Sequence, residues 1–372
     1  SSASVVQAHL EEATAQSPFL QKPLRDKYLL GFFDRSEIRT GRLLGRGGYA
    51  DVYEIVAFDL NEDLSSQLSP EYQTIREKYS AEAVDPLTGQ GRYAIKQLRD
   101  YLLRDKNQFS TATSDLALEA AYLSQIDHPH IVALRGLPAT GLDTLAKGRH
   151  DGYFLILDRL HETLDDRIVS QWQLQNENTQ TKMEYARQLA SALEYLHERR
   201  IIFRDLKPQN IGFDREGQIK LFDFGLCREL PIDNNDITAV YEMSGVGTRR
   251  YVAPEIIKRS GYNAKADVYS WSLVVWQMFT LVKPYAAYSS RDHTALVCHG
   301  GERPPLVENG NAAAIPPALQ EVLAGSWCQC VSERSSIADV VCRLVEALED
   351  TPPTIDSFQK SQKSPRMGGP CY

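Results

Sequence analysis

The chain has 372 residues, with 41 lysines and arginines against 49 aspartates and glutamates and a formal net charge of −8. With 42% hydrophobic and 24% charged residues, the composition predicts a folded globular protein and excludes wholesale disorder, a collagen-like repeat and a disulfide scaffold. The acidic balance argues against a nucleic-acid-binding protein, and no apolar run reaches the roughly 18 residues that a membrane span requires. Six cysteines without repeated pairs indicate a reducing compartment, so we expect an intracellular protein, cytoplasmic or nuclear.

The N-terminal part of the chain divides into an extension and a β-rich region. Residues 1–35 form a helix-prone lead that two prolines interrupt, and we interpret them as an N-terminal extension. After it, short β-rich runs separated by glycines predict strands. Between the second and third runs, residues 57–90 contain seven acidic and two basic residues, a net charge of −5. Ser69 followed by Pro70 predicts a helix start there, so we expect an inserted loop that contains a helix.

The C-terminal part of the chain is predicted to be mainly helical. A helical run at 115–126 precedes two strand-like runs that end at residue 160. Beyond them, long periodic runs predict several helices up to about residue 348, whereas residues 351–372 hold four prolines and little apolar surface. We therefore expect a small β-rich half with one main helix, a larger helical half, and a flexible tail at 351–372.

The first candidate for chemistry is a glycine-rich turn between two predicted strands. Gly45, Gly47 and Gly48 would let backbone amides approach phosphate oxygens without obstruction by side chains, and Val52 could cover a flat ring. Ala50 stands where a third glycine would complete a G-x-G-x-x-G motif. On this fragment alone, a simple glycine-rich hairpin remains the alternative.

A lysine and a glutamate form the second candidate. Lys96 closes an apolar strand, and Glu119 lies on the following predicted helix. A lysine inside a strand needs a partner, and a helical carboxylate could hold its ammonium group ready for an anion. An exposed strand-end lysine and a solvated glutamate are the alternative interpretation of the same two residues.

The third candidate is a set of loop motifs that follow one another in the C-terminal half. The motifs are Phe203-Arg204-Asp205-Leu206-Lys207-Pro208-Gln209-Asn210, Asp223-Phe224-Gly225 and Ala253-Pro254-Glu255. Two acids, one amide and one lysine would cluster in loops between strand-like pieces, which is the arrangement that a magnesium–phosphate site requires. With these motifs in order, residues 37–348 resemble the eukaryotic protein kinase family.

The resemblance implies a fold, a domain organisation and a reaction. The fold would be α+β and bilobal, with a protein kinase domain at 36–350. Its parts would be an N-lobe at about 36–157 with the insertion at 57–90, a hinge at about 158–160 and a C-lobe at about 161–350. The chain would bind ATP and Mg²⁺ as cofactors and would phosphorylate a protein substrate.

The resemblance also implies roles for residues of the active site. The ATP-binding residues would be Gly45, Gly47, Gly48, Val52, Ala94, Lys96, Leu157, Asp158 and Leu160. Lys96 would contact the phosphates and pair with Glu119, Asp205 would be the catalytic base, and Lys207 would neutralise charge on the transferring phosphoryl group. The metal-holding residues would be Asn210 and Asp223.

Further positions of the resemblance are structural. The residues with structural roles would be Phe203, Arg204, Glu255, Asp267 and Arg334. Glu255 and Arg334 would form a buried ion pair, and Asp267 would anchor the catalytic loop. Phe203 stands where the family usually has a histidine, and its ring can keep the packing against the phenylalanine of Asp-Phe-Gly while losing a hydrogen bond of roughly 0.5–1.5 kcal/mol.

The same resemblance indicates a substrate class and a mode of control. Lys207 and Thr248 are typical of the serine/threonine class, and residues 301–306 and 327–336 look most like its tyrosine-kinase-like group. The residues of interest in the activation segment are Thr238, Tyr241, Ser244 and Thr248. Because Arg204 precedes the base, the family pattern suggests control by a phosphate on this segment, with Ser244 or Thr238 as candidates and neither as the alternative.

Two functional hypotheses remain open on the sequence. Since every charge-bearing position of the family is present, an active kinase is favoured over a catalytically weak kinase-like scaffold that binds nucleotide. The insertion at 57–90 supplies −5 of the net charge of −8 and is not needed for the chemistry. We therefore interpret it as a docking site for a partner or as a regulatory element.

Overall fold

The computed structural model describes residues 2–15, 17–21, 30–143, 149–175, 177–230, 241, 248–306 and 315–349. Its N-terminal lobe contains one large sheet, with the strands β1 (Gly31–Phe33), β2 (Ile38–Arg46), β3 (Ala50–Phe58), β4 (Tyr93–Leu98), β5 (Leu134–Pro138) and β6 (Phe154–Asp158). The strand order is β1-β5-β6-β4-β3-β2. β1 and β5 are parallel, and the other neighbouring strands are antiparallel.

The remaining elements place short strands and most helices in the second lobe. The shorter strands are β7 (Glu162–Thr163), β8 (Ile201–Ile202), β9 (Ile211–Phe213), β10 (Ile219–Leu221) and β11 (Arg228–Glu229). The helices within the described residues are α1 (Ser2–Ala15), α2 (Glu62–Ser66), α3 (Pro70–Ala81), α4 (Lys106–Gln125), α5 (Leu164–Arg167), α6 (Thr179–His197), α7 (Pro254–Lys258), α8 (Lys265–Thr280), α9 (Ser290–Asp292), α10 (Pro317–Ser326) and α11 (Ile337–Glu349). This distribution confirms the predicted bilobal α+β fold.

Helix α4 is the main helix of the N-terminal lobe. Asp105 caps it, because its Oδ1 accepts hydrogen bonds from the backbone N–H groups of Asn107 and Gln108 at 2.9 and 3.1 Å. The face that carries Leu116, Glu119 and Leu123 is buried in the core. The helix therefore presents a glutamate, rather than an apolar side chain, at one buried position.

Helix α8 forms the centre of the C-terminal lobe. Every residue from position 266 to position 280 is buried, so the helix has no solvent-facing side of the kind that surface helices show. The indole Nε1 of Trp271 donates a hydrogen bond to the Ala186 carbonyl oxygen on α6 at 3.1 Å. Helix α11 also packs against α6 and buries its own side chains Val340 and Leu344. Helix α8 also carries Asp267, whose carboxylate contacts the backbone of the loop that contains Asp205.

The N-terminal lobe includes parts of the chain that were predicted to be an extension and an insertion. β1 lies within the predicted extension, and β3 continues to Phe58, inside the segment 57–90. The fully buried guanidinium of Arg76 on α3 donates hydrogen bonds to the Glu37 carboxylate and to the Phe32 carbonyl oxygen. Tyr79 packs on the same core. Helix α3 is thus part of the lobe, although its sequence resembles that of a solvated insertion.

None of the described helices combines the length and the apolar character that a membrane-spanning segment needs. The predicted tail, residues 351–372, lies outside the described residues.

Acid is expected to destabilise this fold through His293, which is buried and contacts the ring of Tyr285 with centroids 5.1 Å apart. Burial, together with nearby arginines, lowers the pKa of His293 from 6.5 to about 4. Between these two pH values, the unfolded chain binds a proton that the folded chain does not bind. The free energy of unfolding therefore falls as the pH drops from 6.5 towards 4.

Replacing this histidine tests the source of the acid sensitivity. We predict that His293→Phe reduces the fall in melting temperature between about pH 7 and about pH 5, because the variant has no group here to protonate on unfolding. His299→Phe, a change at an exposed position, should leave the wild-type fall intact. Equal falls for His293→Phe and wild type would show that this side chain does not contribute. Thermal melts recorded in one buffer series measure all three proteins.

Candidate active site

Lys96 lies between two carboxylates in the cleft between the lobes. Its Nζ is 2.6 Å from Glu119 Oε2 on α4 and 2.8 Å from Asp223 Oδ1. Burial disfavours the charged ammonium, but the two carboxylates outweigh this effect and raise the pKa of Lys96. The same contact lowers the pKa of Asp223. A charged lysine therefore connects β4, α4 and the loop after β10 at neutral pH.

Asp205 is held by hydrogen bonds on both carboxylate oxygens. Its Oδ2 accepts from Lys207 Nζ at 2.6 Å and from Asn210 Nδ2 at 3.1 Å. Its Oδ1 accepts from the backbone N–H and the hydroxyl of Thr248 at 2.9 and 3.1 Å. The structure thus brings together four residues that the sequence placed in two separate loops.

Asp267 on α8 holds the backbone of the loop that carries Asp205. Its two carboxylate oxygens accept hydrogen bonds from the N–H groups of Phe203 and Arg204 at 2.8 and 2.9 Å. His197 Nε2 lies 2.9 Å from the same carboxylate. Arg204 has a positive φ of 76°, a backbone conformation that is costly for a residue with a side chain. The buried carboxylate of Asp267 holds the loop in this strained conformation.

The Asp-Phe-Gly motif has the same kind of strain. Asp223 has φ 71° and ψ 73°, in the left-handed region, and its side chain is 44% exposed. The next ring, Phe224, packs edge-on against Phe203 with centroids 5.2 Å apart. Phe203 thus provides the apolar packing expected at a position where the family usually has histidine.

Cys227 is buried, and burial raises the pKa of its thiol, so it is a poor nucleophile.

The glycine-rich turn connects β2 and β3. The backbone N–H of Gly47 donates to the Ala50 carbonyl oxygen at 2.8 Å and closes the turn. A Cβ added at Gly45 or Gly48 would meet no atom within 4 Å, so packing within the protein does not require glycine at these positions. Open space beside a bare backbone is what close approach of a phosphate group needs.

The strand register aligns the side chains expected around a nucleotide base. Val52 on β3 is opposite Lys96 on β4, and Ala94 on β4 is opposite Leu157 on β6. The hinge begins at the end of β6, and the side chain of Asp158 holds it to the N-terminal lobe. Asp158 accepts two hydrogen bonds from Arg135, at 2.6 and 2.7 Å.

The insertion contacts both lobes behind the hinge. Arg159, the second hinge residue, is buried and donates to Glu54 on β3 at 2.6 Å. Asp85, in the segment 57–90, forms an ion pair of 2.7 Å with Arg215 in the turn between β9 and β10. A cavity of about 570 Å³ lies between the insertion, the hinge and this turn. The insertion therefore connects the two lobes beside the hinge.

The predicted residues of the activation segment are only partly within the described structure. Thr238 and Ser244 lie outside the described residues. Tyr241 forms two backbone hydrogen bonds with Tyr262, of 3.0 and 3.1 Å. The guanidinium carbon of Arg204 lies 5.8 Å from the centre of the Tyr262 ring. At the end of the segment, Glu255 and Arg334 form a buried bidentate ion pair of 2.7 and 3.0 Å.

A family model described as protein kinase domain matches residues 82–344. The chain belongs to the protein kinase family. Similar proteins include mitogen-activated protein kinase kinase kinase 7 of Drosophila melanogaster, 26% identical over 290 residues that cover 74% of this chain and 38% of that protein. The serine/threonine/tyrosine-protein kinase HT1 of Arabidopsis thaliana is 29% identical over 228 residues, which cover 61% of this kinase and 53% of that protein.

A third relative, ribosomal protein S6 kinase alpha-2 of Homo sapiens, is 32% identical over 228 residues, 61% of this kinase and 28% of that protein. The kinase thus spans between about a quarter and about half of the length of these relatives. The match of the family model confirms the predicted family, and several similar proteins are serine/threonine kinases by name.

Several residues that support the site were missed by sequence reasoning. Tyr101 donates from its hydroxyl to the Gly48 carbonyl oxygen at 2.6 Å, and Arg99 donates to the Gly47 carbonyl oxygen at 3.3 Å. Both residues follow the strand that carries Lys96. This position in the chain is the one feature of the sequence that could have indicated their role. The pairing of Asp158 with Arg135 had no local signal, because each looks like an ordinary surface charge in the sequence.

Proposed function

We propose that this chain is an ATP-dependent protein kinase that phosphorylates serine and threonine hydroxyls, with its kinase domain at about 36–350. The observation that carries the proposal is the double contact of Lys96 with Glu119 at 2.6 Å and Asp223 at 2.8 Å. Protein kinases need this lysine–glutamate pair in place for phosphoryl transfer. Similar proteins that are serine/threonine kinases by name support the same reaction.

ATP and Mg²⁺ fit the residues of the cleft. Within the described ranges, no three carboxylate, histidine or cysteine side chains converge on a point, so these residues form no complete metal cage. Mg²⁺ is commonly bound by one or two carboxylates together with substrate phosphates, and Asn210 and Asp223 would hold it in this way. When bound, ATP supplies the phosphoryl group, and Mg²⁺ neutralises charge on the phosphates.

The protein groups around Asp205 would prepare the substrate for transfer. The Asp205 carboxylate would accept the proton of the substrate hydroxyl, and the contacts of Thr248 with its other oxygen would keep it oriented. Lys207, 2.6 Å from Asp205, would stabilise the charge that spreads over the transferring group. Lys96 would position the α and β phosphates, and the open backbone at Gly45 and Gly48 would cover them.

A labelled-phosphate assay tests this proposal against the scaffold alternative. The purified full chain, given Mg²⁺ and ATP labelled on the γ-phosphate, should transfer label to a generic basic protein substrate. Phosphoamino-acid analysis should locate the label on serine and threonine. Removal of Mg²⁺ by a chelator should stop the transfer. A chain that labels neither itself nor the substrate would contradict the proposal and support a nucleotide-binding scaffold.

We also propose that a phosphate on the activation segment raises activity. Arg204 is buried, and burial lowers the pKa of its guanidinium, so an added negative charge nearby would stabilise the charged form. Ser244 and Thr238 remain the candidates for the modified residue. We expect mass spectrometry to find phosphate on one of them in active protein and phosphatase treatment to lower activity. Unchanged activity after complete dephosphorylation would contradict this form of control.

The insertion is proposed to dock a basic partner through its solvent-facing side. Glu62, Asp63, Glu71 and Glu77 are exposed on α2 and α3, whereas Arg76 on the opposite side is buried. Changing the four carboxylates to amides should weaken binding of a basic partner protein and leave transfer to a short peptide unchanged, because the cleft is untouched. Affinity capture followed by quantitative mass spectrometry compares the two forms. Identical sets of captured proteins would remove the support for docking.

An intracellular location is proposed from the state of the cysteines. The described cysteines, Cys227, Cys298, Cys328, Cys330 and Cys342, are all free. Free thiols are typical of reducing compartments, where glutathione and thioredoxin keep cysteines reduced. Fluorescence imaging of a tagged chain would test whether it lies in the cytoplasm or the nucleus.

A further inference from the structure

The N-terminal helix α1 packs along α4, the helix that carries Glu119. Val6 is fully buried in this contact, whereas the neighbouring Val5 is 45% exposed. His9 Nδ1 on α1 lies 3.2 Å from Ser114 Oγ on α4. The first helix is therefore bound to α4 through one defined face.

The residues after α1 continue the contact towards the buried face of α4. Ser17 and Phe19 are only 3% and 5% exposed, although they belong to a short segment outside regular structure. The ring of Phe19 stacks on the ring of Tyr122, with centroids 6.3 Å apart and an interplanar angle of 23°. Tyr122 follows Glu119 by three residues, so both side chains lie on one face of α4. The segment thus contacts α4 one turn from its functional glutamate.

Glu229 on β11 anchors this segment from the other side. Its Oε2 accepts hydrogen bonds from the Ser17 hydroxyl and, at 3.1 Å, from the backbone N–H of Phe19. A carboxylate that accepts two donors in a half-buried place is a strong local anchor.

Strand β11 connects this anchor to the catalytic centre. Glu229 is paired with Ile201 on β8, and the next strand residue leads directly to Phe203 and Asp205. In the other direction along the chain, Glu229 follows the Asp-Phe-Gly motif by a few residues. A segment that contacts both α4 and β11 therefore links the helix of Glu119 to the strand that follows Asp223, and both of these carboxylates contact Lys96.

We propose that residues 17–21 form a strap that holds α4 against β11 and keeps Glu119 paired with Lys96, with Glu229 as its positioning residue. Loss of the strap would favour arrangements in which α4 moves away from the cleft, because one of the contacts that distinguishes the paired state is removed. The strap acts on the kinase activity proposed above and rests on it.

Variants of the full chain test the strap. We expect Phe19→Ala and Glu229→Ala to lower kcat/KM by about 2- to 30-fold, the usual range for coupling through positioning residues. Glu229→Gln keeps an oxygen acceptor and should retain most of the activity. Val5→Ala changes the same helix at its exposed face and should match wild type. Activities are expressed per folded molecule, with folded fractions taken from thermal melts.

Hydrogen exchange measured by mass spectrometry gives a readout that does not depend on activity. The peptides of α4 and β11 should exchange faster in Phe19→Ala and Glu229→Ala than in wild type, Glu229→Gln or Val5→Ala. A lower melting temperature with unchanged kcat/KM and unchanged exchange in α4 would overturn the strap. If the wild-type chain transfers no phosphate, the proposed function fails, whereas the exchange comparison still decides whether the strap holds α4.

Discussion

Asp205→Asn is expected to reduce the rate of phosphoryl transfer by about 10²–10⁴-fold, the contribution typical of a general base. The amide keeps one oxygen, so the contacts with Thr248 can persist, but it cannot accept the proton of a substrate hydroxyl. It also places an N–H₂ group near the ammonium of Lys207, which lies 2.6 Å from Asp205 in the wild type. The loss should therefore appear mainly in kcat, because the groups expected to bind ATP are unchanged.

The controls for this variant separate loss of chemistry from loss of structure. Binding of a fluorescent ATP analogue and the melting temperature should remain close to wild type, since Asp267 still holds the loop backbone. Asp63→Asn makes the same chemical change at an exposed position on α2 and should retain full transfer. Transfer by Asp205→Asn at the wild-type rate would show that Asp205 is not the base.

The charged residues of the site could be predicted from the sequence because their order and spacing carry the chemistry. A charge in the interior of a protein is costly without a partner. The neighbouring sequence offers no such partner for Lys96, Glu119 or Asp223. Phosphoryl transfer supplies a reason for these charges, and the structure brings them and Asp205 into one cleft. The glycine turn was ambiguous alone, and the open space beside its backbone is compatible with a loop that covers phosphate.

The contacts of the extension and the insertion could not be predicted because each partner lies far away in the sequence. Arg76 resembles a solvated helix residue until Glu37, almost forty positions earlier, meets it in the core. Ser17 and Glu229 are separated by 212 positions and have no motif in common. Such pairs arise from tertiary packing, which local propensity and periodicity do not encode. The same limit explains why β1 was assigned to an extension although it pairs with β5.

Glu255→Ala is expected to lower the free energy of unfolding by about 3–5 kcal/mol, because it leaves the fully buried guanidinium of Arg334 without its carboxylate. Arg334 also donates to the backbone carbonyl oxygens of Cys328 and Lys265 and lies over the ring of Tyr269. Arg334→Ala should therefore destabilise the protein at least as much as Glu255→Ala. Urea denaturation followed by tryptophan fluorescence gives both values.

A double variant and a surface pair make this prediction specific to the buried ion pair. The double variant Glu255→Ala/Arg334→Ala should be less destabilised than the sum of the single variants, since neither buried charge is left alone. Asp59→Asn removes the partner of Arg39 in a pair of similar length, 2.6 Å, but with both side chains more than half exposed, and should change stability little. Additive effects in the double variant would mean that the two side chains stabilise the end of the activation segment independently. The pair would then have no energetic coupling despite its bidentate geometry.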